Sequence, residues 1–228
     1  MKKLILVRHG ESVWNMENKF TGWTDVELSD KGRLEATEAG KLLKEKNYVF
    51  DMAYSSILKR ANDTLDLILK EINQEDIEIK YSYKLNERHY GALQGLNKAE
   101  TGEKYGQEQL MLWRRSVNTR PPLLTTDDER YPGNDPKYAG IDKSKLPFAE
   151  SLKDTIERVA EYYDEEIKHE FDNKDTILLV AHGNTIRALI KYLENISDEE
   201  IIKLEIPTGK PLCYELDDNL NSIKRYYI

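Results

Sequence analysis

Cysteine is nearly absent from this chain: Cys213 stands alone among 228 residues, so no intramolecular disulfide can staple the fold. Its place in an alternating run near the C-terminus makes it a core residue. Long apolar runs are missing too. Nothing approaches the ~18 consecutive apolar residues of a membrane span. The short run at 4–7, behind Met1, Lys2 and Lys3, is ended by Arg8, too early for the hydrophobic stretch of a signal peptide. A cytoplasmic location is the expectation. Positive charge is in deficit: 34 Lys and Arg against 42 Asp and Glu leave a net charge of −8. That balance argues against nucleic acid or an anionic membrane as a partner. A small anionic substrate stays open, because a pocket can gather a few cations against the overall sign. There is no internal repeat and no low-complexity tract.

What is present suits a single large domain over 1–228 with one core: 39 % of residues are hydrophobic and 33 % charged, unlike a disordered chain. Residues 4–7 are apolar and branched, and read as a buried strand. Ser29 is a plausible N-cap for a helix ending near Lys46. A second strand is expected at 50–54, then a helix with Ile57, Ala61, Leu65 and Ile68 on one face. Residues 77–81 alternate as a short strand. Ser151 opens a helix marked by Leu152, Ile156, Val159 and Tyr163, with Asp154 completing a capping-box pattern. Residues 177–181 form another buried strand with a helix behind it at 185–193, and late strands fall at 213–216 and 223–227. Strands alternating with helices predict an α/β fold, a three-layer sandwich around a largely parallel sheet.

The stretch 116–150 differs. It holds Pro121, Pro122, Pro132, Pro136 and Pro147, five of the seven prolines, and shows no sustained periodicity. A structureless insert of that length is often a lid.

Two of the buried strands end in a histidine followed by glycine: Arg8-His9-Gly10-Glu11-Ser12 and Ala181-His182-Gly183-Asn184-Thr185. Ligands bind beyond the C-terminal ends of strands in α/β sheets, so both imidazoles are expected at one edge. Asn184 and Thr185 stand where a helix begins, and its free N–H groups favour an anion. An arginine beside an imidazole lowers its pKa by like-charge repulsion and keeps it neutral and nucleophilic. A guanidinium can also grip a phosphoryl group with two parallel hydrogen bonds. His9 is therefore the candidate nucleophile, with Arg8 and His182 holding phosphoryl oxygens. Further polar clusters are Arg60, then Glu87-Arg88-His89-Tyr90-Gly91 in a loop, then Trp113-Arg114-Arg115 just before the insert. A metal centre of His9, His89 and His182 is disfavoured, because no companion ligands lie at metal spacing. No metal is expected.

Together these strings resemble a known family. RHGE with the distant HG resembles the histidine phosphatase superfamily. RHGESVWN (8–15), FTGW (20–23), LNERHYGALQGLNK (85–98), WRR (113–115), DERYPG (128–133), AHGN (181–184) and IPTG (206–209), in order along nearly the whole chain, resemble the cofactor-dependent phosphoglycerate mutases. The RHG element alone is shared by many phosphatases; ERHYGALQG with WRR is far more specific.

The resemblance implies interconversion of 2-phosphoglycerate and 3-phosphoglycerate, with 2,3-bisphosphoglycerate as priming cofactor and intermediate and His9 as the phosphorylated residue. It places Arg8, Arg60, His182, Gly183 and Asn184 around the transferring group and makes Glu87 the proton donor and acceptor. Ser12, Asn15, Thr21, Gly22, Arg88, Tyr90, Lys98, Arg114 and Arg115 then bind the rest of the substrate. The expected partners are small phosphoglycerates, with no nucleic acid and no membrane; a homo-oligomer, dimer or tetramer, is compatible with this. Some members carry a mobile tail beyond the last strand. The sequence here ends at Tyr226-Tyr227-Ile228, which would leave the proline-rich insert to exclude water. The alternative is a histidine-type phosphatase, or a bisphosphoglycerate phosphatase/synthase; Lys98, Arg114 and Arg115 argue against a simple phosphatase, which has less need of a second anion site.

Overall fold

The computed structural model describes residues 1–228. In chain order it contains β1 (Lys2–Arg8), α1 (Val13–Met16), α2 (Asp30–Glu45), β2 (Met52–Ser55), α3 (Lys59–Ile72), β3 (Glu78–Tyr81), α4 (Lys98–Tyr105) and α5 (Gln107–Arg115). Then come α6 (Leu152–Tyr162), running through a π turn at Tyr163–Ile167 into α7 (Lys168–Glu170), and β4 (Thr176–Ala181), α8 (Gly183–Glu194), α9 (Asp198–Ile201), β5 (Leu212–Leu216) and β6 (Ser222–Tyr227). No helix is long and apolar enough to cross a membrane.

The six strands form one sheet in the order β3-β2-β4-β1-β5-β6. β3, β2, β4 and β1 run parallel, while β5 and β6 are antiparallel to their neighbours. Continuous apolar runs make the central strands, because both of their faces are covered. Ile5 and Val7 of β1, with Leu178 and Val180 of β4, pack against Ala39 and Leu43 of α2 and Leu65 and Ile68 of α3. Leu4, Leu6, Ile177 and Leu179 point the other way, onto Leu152 and Val159 of α6 and Ile186 and Leu189 of α8. The three-layer α/β/α architecture is thus the one the alternation predicts.

Two consequences position the site. β1 and β4 pair in parallel with Arg8 opposite Ala181, so the next residue of each, His9 and His182, leaves the sheet at the same level. The chain after β1 leads to α2 on one face and the chain after β4 to α8 on the other. The crevice opens where the connections diverge, as expected for an open α/β sheet.

The helices begin and end largely where the capping residues put them. Ser29 Oγ accepts from Gly32 N, and Ser151 and Asp154 form the reciprocal capping box. Three differences stand out. Phe50 precedes β2, because its N–H and C=O are both bonded by the side chain of Gln74. Ile57 lies outside α3, which starts at Lys59. Helices α4 and α5, without a strong apolar stripe in the sequence, form a hairpin through Gly106 (φ +89°), with Leu110 and Trp113 of α5 packed with Phe20 and Leu93.

The proline-rich stretch is not an open excursion. It winds through short 3-10 turns at Pro132–Asn134, Pro136–Tyr138 and Lys143–Lys145. Tyr131 stacks on Phe148 at 4.4 Å, and Tyr138 stacks on Trp23 at 5.2 Å.

The loop after β1 needs the glycine in the first turn of α2. A methyl group on Gly32 would collide with the carbonyl oxygen of Glu11, and one on Gly10 with that of Gly32. Gly→Ala in a helix gains about 1 kcal/mol of propensity, whereas overpacking against immobile backbone costs about 1–3 kcal/mol or more. Gly32→Ala should therefore be net destabilising in urea unfolding. Gly140→Ala, where a methyl would meet nothing, should remain near neutral.

Candidate active site

His9 is 2 % exposed and His182 fully buried, and their ring centroids lie 5.0 Å apart at 62°. His9 Nδ1 lies 2.6 Å from its neighbour's carbonyl, Gly10 O. A carbonyl only accepts, which puts the proton on Nδ1 and the lone pair on Nε2. Arg60 Nε donates to that Nε2 at 3.3 Å. His182 Nε2 lies 2.7 Å from Ser56 Oγ, which itself accepts from Leu58 N. Nε2 is the one acceptor within reach of the Ser56 hydroxyl proton, so Ser56 donates to it and Nδ1–H is left as the free donor. That Nδ1 is buried with no partner.

Both imidazoles are held neutral, their pKa values well below the usual range. For His9 the largest cause is burial, followed by Arg60 and then Arg8. Arg8, the neighbour in sequence, is thus the lesser of the two guanidinium influences, which corrects the sequence-based attribution. Arg60 itself is buried, and desolvation lowers it to about 10. It donates from Nη1 to Thr24 O at 3.0 Å and from Nη2 to Gly22 O at 2.8 Å. Gly22 adopts φ +56°, and a side chain there would meet Gln94.

Glu87 faces this group from the loop beyond β3. Its Oε1 accepts from Arg88 N at 2.7 Å and from Asn184 N at 3.2 Å. The N-terminal N–H at Asn184 thus already serves a carboxylate of the chain itself, where the sequence suggested it was free for a ligand. The Glu87 carbonyl accepts from the indole of Trp23 and from Arg158 Nη2. Arg158 also donates to the carbonyls of Tyr83, Lys84 and Asn86, and pairs with Glu150 at 2.7 Å. Glu150 Oε2 accepts from His89 N. This buried ion pair fixes the loop that carries Glu87.

A cleft of about 200 Å³ opens above these groups. Arg8, His9, Asn15, Thr21, Gly22, Arg60, Glu87, Tyr90, Lys98, Arg114, Arg115, Gly183 and Asn184 all line it. The helix hairpin explains how three cations meet: Lys98 opens α4 and Arg114 and Arg115 close α5, at the same end. Lys98 sits in the first turn of a helix, where the dipole disfavours a cation. Burial, with the charges of Arg114 and Arg8, lowers its pKa to about 8.

Three expected residues do not line the cleft. His182 is fully buried, its ring 5.0 Å from that of His9. Ser12 is buried, and its Oγ caps α1 by accepting from Asn15 N. Arg88 turns inward, donating to Glu150 O and Thr119 O with its guanidinium 5.0 Å from the Tyr90 ring centre. The insert differs as well: no residue of 116–150 lines the cleft. It braces the Glu87 loop from behind, with Asn86 Nδ2 donating to the Tyr138 hydroxyl and Ala92 N to Pro122 O. The expected lid is thus a buttress, its aromatic side chains consumed in packing.

Conversely, the cleft includes Lys19, Phe20, Arg187 and Glu205, which sequence reasoning did not select. Arg187 could have been found, since it lies one helical turn beyond Gly183 on α8 and so shares its face. Glu205 gives no such signal; it lies outside regular structure.

Several solved structures share this architecture end to end. A mycobacterial glucosyl-3-phosphoglycerate phosphatase superposes with a TM-score of 0.75 at 23 % identity, covering 100 % of this chain and 97 % of that one. The alpha-ribazole phosphatase of Shigella flexneri gives 0.73 at 18 % identity, over 97 % and 94 %. A phosphoserine phosphatase variant from Entamoeba histolytica, in complex with phosphoserine, gives 0.65 at 24 % identity, over 100 % and 95 %. At such identities the likeness speaks for the fold alone. The sequence match is of another kind: it runs from residue 4 to residue 228 along the profile of the histidine phosphatase superfamily (branch 1), and the chain belongs to that superfamily.

Proposed function

We propose that this phosphoryl-transfer enzyme is a phosphoglycerate mutase, interconverting 2-phosphoglycerate and 3-phosphoglycerate through a phosphorylated His9. The observation that carries this reading is the two-ended cleft. One end holds His9, Arg8 and Arg60, with the buried His182 ring 5.0 Å from that of His9, suited to a transferring phosphoryl group. The other holds Lys98, Arg114 and Arg115, suited to a second anionic group on the same small molecule.

Buried polar atoms with no protein partner fit such a ligand: Arg8 Nε, Thr21 Oγ1 and His182 Nδ1. Bound in the same cleft, 2,3-bisphosphoglycerate would supply the phosphoryl group that primes His9. His9 Nε2 accepts phosphorus with its lone pair, and Nδ1–H stays on Gly10 O. Arg60, Arg8 and His182 Nδ1–H neutralise the equatorial oxygens, since such transfers rest mainly on positioning and charge. When a substrate hydroxyl attacks the phosphohistidine, the P–N bond breaks as the P–O bond forms. The hydroxyl proton passes to Glu87, which returns it to the leaving oxygen in the reverse transfer.

The second reading is a hydrolase, with water taking the phosphoryl group. It is favoured by the absence of any insert residue over the cleft, and by the phosphatase names of the similar structures. One assay separates the two: 3-phosphoglycerate offered with and without 2,3-bisphosphoglycerate, following 2-phosphoglycerate and free phosphate together. The mutase reading expects 2-phosphoglycerate, accelerated by priming. Free phosphate as the sole product would establish the hydrolase.

Replacing Glu87 by Gln should lower kcat by roughly 10²- to 10⁴-fold and leave KM nearly unchanged. A raised KM with a lower melting temperature would make it a structural ion-pair partner instead.

Lys98 generates a pH prediction. Its pKa of about 8 means that the free enzyme loses this cation as pH rises through 8, so KM for the anionic substrate should climb there. Lys98→Gln should raise KM already at pH 7, by about 10- to 150-fold for a lost charge-assisted bond of roughly 1.5–3 kcal/mol. It should also abolish the alkaline rise. A rise that persists in Lys98→Gln would assign the titration elsewhere.

A further inference from the structure

One carboxylate at the mouth of the cleft has no part in the proposed reaction. Glu205, in the connection between α9 and β5, is 75 % exposed. It accepts from Arg115 Nη2 at 2.8 Å, and its other oxygen lies 4.0 Å from Arg187 Nη2. Both partners line the cleft.

The bland role, an ion pair that pins a connecting segment, is already filled by other bonds. Arg187 Nε donates to Leu204 O at 2.9 Å, Arg8 Nη1 to Ile206 O at 2.8 Å, and Gly209 N to Arg8 O at 2.9 Å. The backbone on both sides of Glu205 is therefore fixed without its side chain. What remains for the carboxylate is its electrostatic effect on Arg115.

We propose that Glu205 is a specificity-determining residue, an internal anion that occupies Arg115 in the free enzyme and competes with the substrate's non-reacting anionic group for it. The inference rests on the reading that Arg115 takes that group. The Nη2–H of Arg115 that Glu205 engages is closed to a neutral hydroxyl or amide, which cannot displace a carboxylate. A ligand carboxylate or phosphate can, at a cost set by the exposed pair it breaks and by repulsion from Glu205. The residue thus denies that N–H of Arg115 to phosphoesters with a neutral far end, and it loosens the binding of those with a charged one.

The test is a double-mutant cycle read by calorimetric titration. Wild type, Glu205→Gln, Arg115→Gln and the double variant are titrated with 3-phosphoglycerate and, independently of the substrate's identity, with inorganic pyrophosphate. Glu205→Gln should bind the anion about two- to five-fold more tightly, the scale of an exposed ion pair. The gain should shrink in high salt, where exposed charges are screened, and it should vanish in the Arg115→Gln background. Unchanged or weaker binding in Glu205→Gln overturns the proposal, as does an equal gain without Arg115. If 3-phosphoglycerate fails to bind any of the four while pyrophosphate shows the coupled gain, the substrate reading falls and the role of Glu205 stands. Absence of coupling with both probes removes the role itself.

Discussion

The site depends on a guanidinium buried without a carboxylate beside it. Arg60 is 1 % exposed, and its hydrogen-bond partners are two main-chain carbonyls and an imidazole nitrogen. Burying a charge in such surroundings is expensive, and the depression of its pKa toward 10 records that cost. The local chain is arranged to sustain it. Gly22 takes a left-handed conformation with its carbonyl on Nη2, Thr24 presents another to Nη1, and Glu87 and Asp25 contribute opposite charge from farther off. In return Arg60 adds to burial in holding His9 neutral, and in the proposed reaction it stands where phosphoryl charge would develop.

A second, largely enclosed cation serves geometry instead. Arg158 is paired at 2.7 Å with Glu150 and reaches four carbonyls of the 83–87 loop. Here the charge is neutralised within the protein, so it is unavailable to a ligand. Removing one member of such a pair is costly because the other is left buried and unpaired. Arg60 and Arg158 thus differ in how the protein treats their charge: the one has no carboxylate among its hydrogen-bond partners, the other is paired and organises the backbone.

Much of this was legible in the sequence. The runs at 4–7 and 177–181 identify the central strands because a strand covered on both faces is apolar throughout, and the histidine after each marks the sheet edge. Ser29 and Ser151 announce their helices because caps are local chemistry. What was not legible is non-local. Helices α4 and α5 bury only one small cluster, so no apolar period betrays them. Arg88 and Ser12 stand in motif positions, yet a loop side chain's direction is set by partners such as Glu150 O that are distant in sequence. The insert lacks periodicity because it packs turn by turn onto Trp23 and Tyr83. Its aromatic stacking leaves no more trace in the sequence than an open loop would.

The parallel pairing of β1 with β4 has a consequence for how the molecule comes into being. Strands from opposite ends of the chain must meet in register, Arg8 against Ala181, before His9 and His182 can face each other. The α2–α3 pair lies within one half of the chain and closes a comparatively short loop. The β1–β4 ladder closes most of the polypeptide, and such distant contacts are slow to form because loop entropy opposes them until the sheet is complete. The imidazole pair therefore belongs to the last-closing part of the topology. A collapsed intermediate with its helices in place would still lack the paired imidazoles, and regain of activity would follow the completed sheet rather than the helix content.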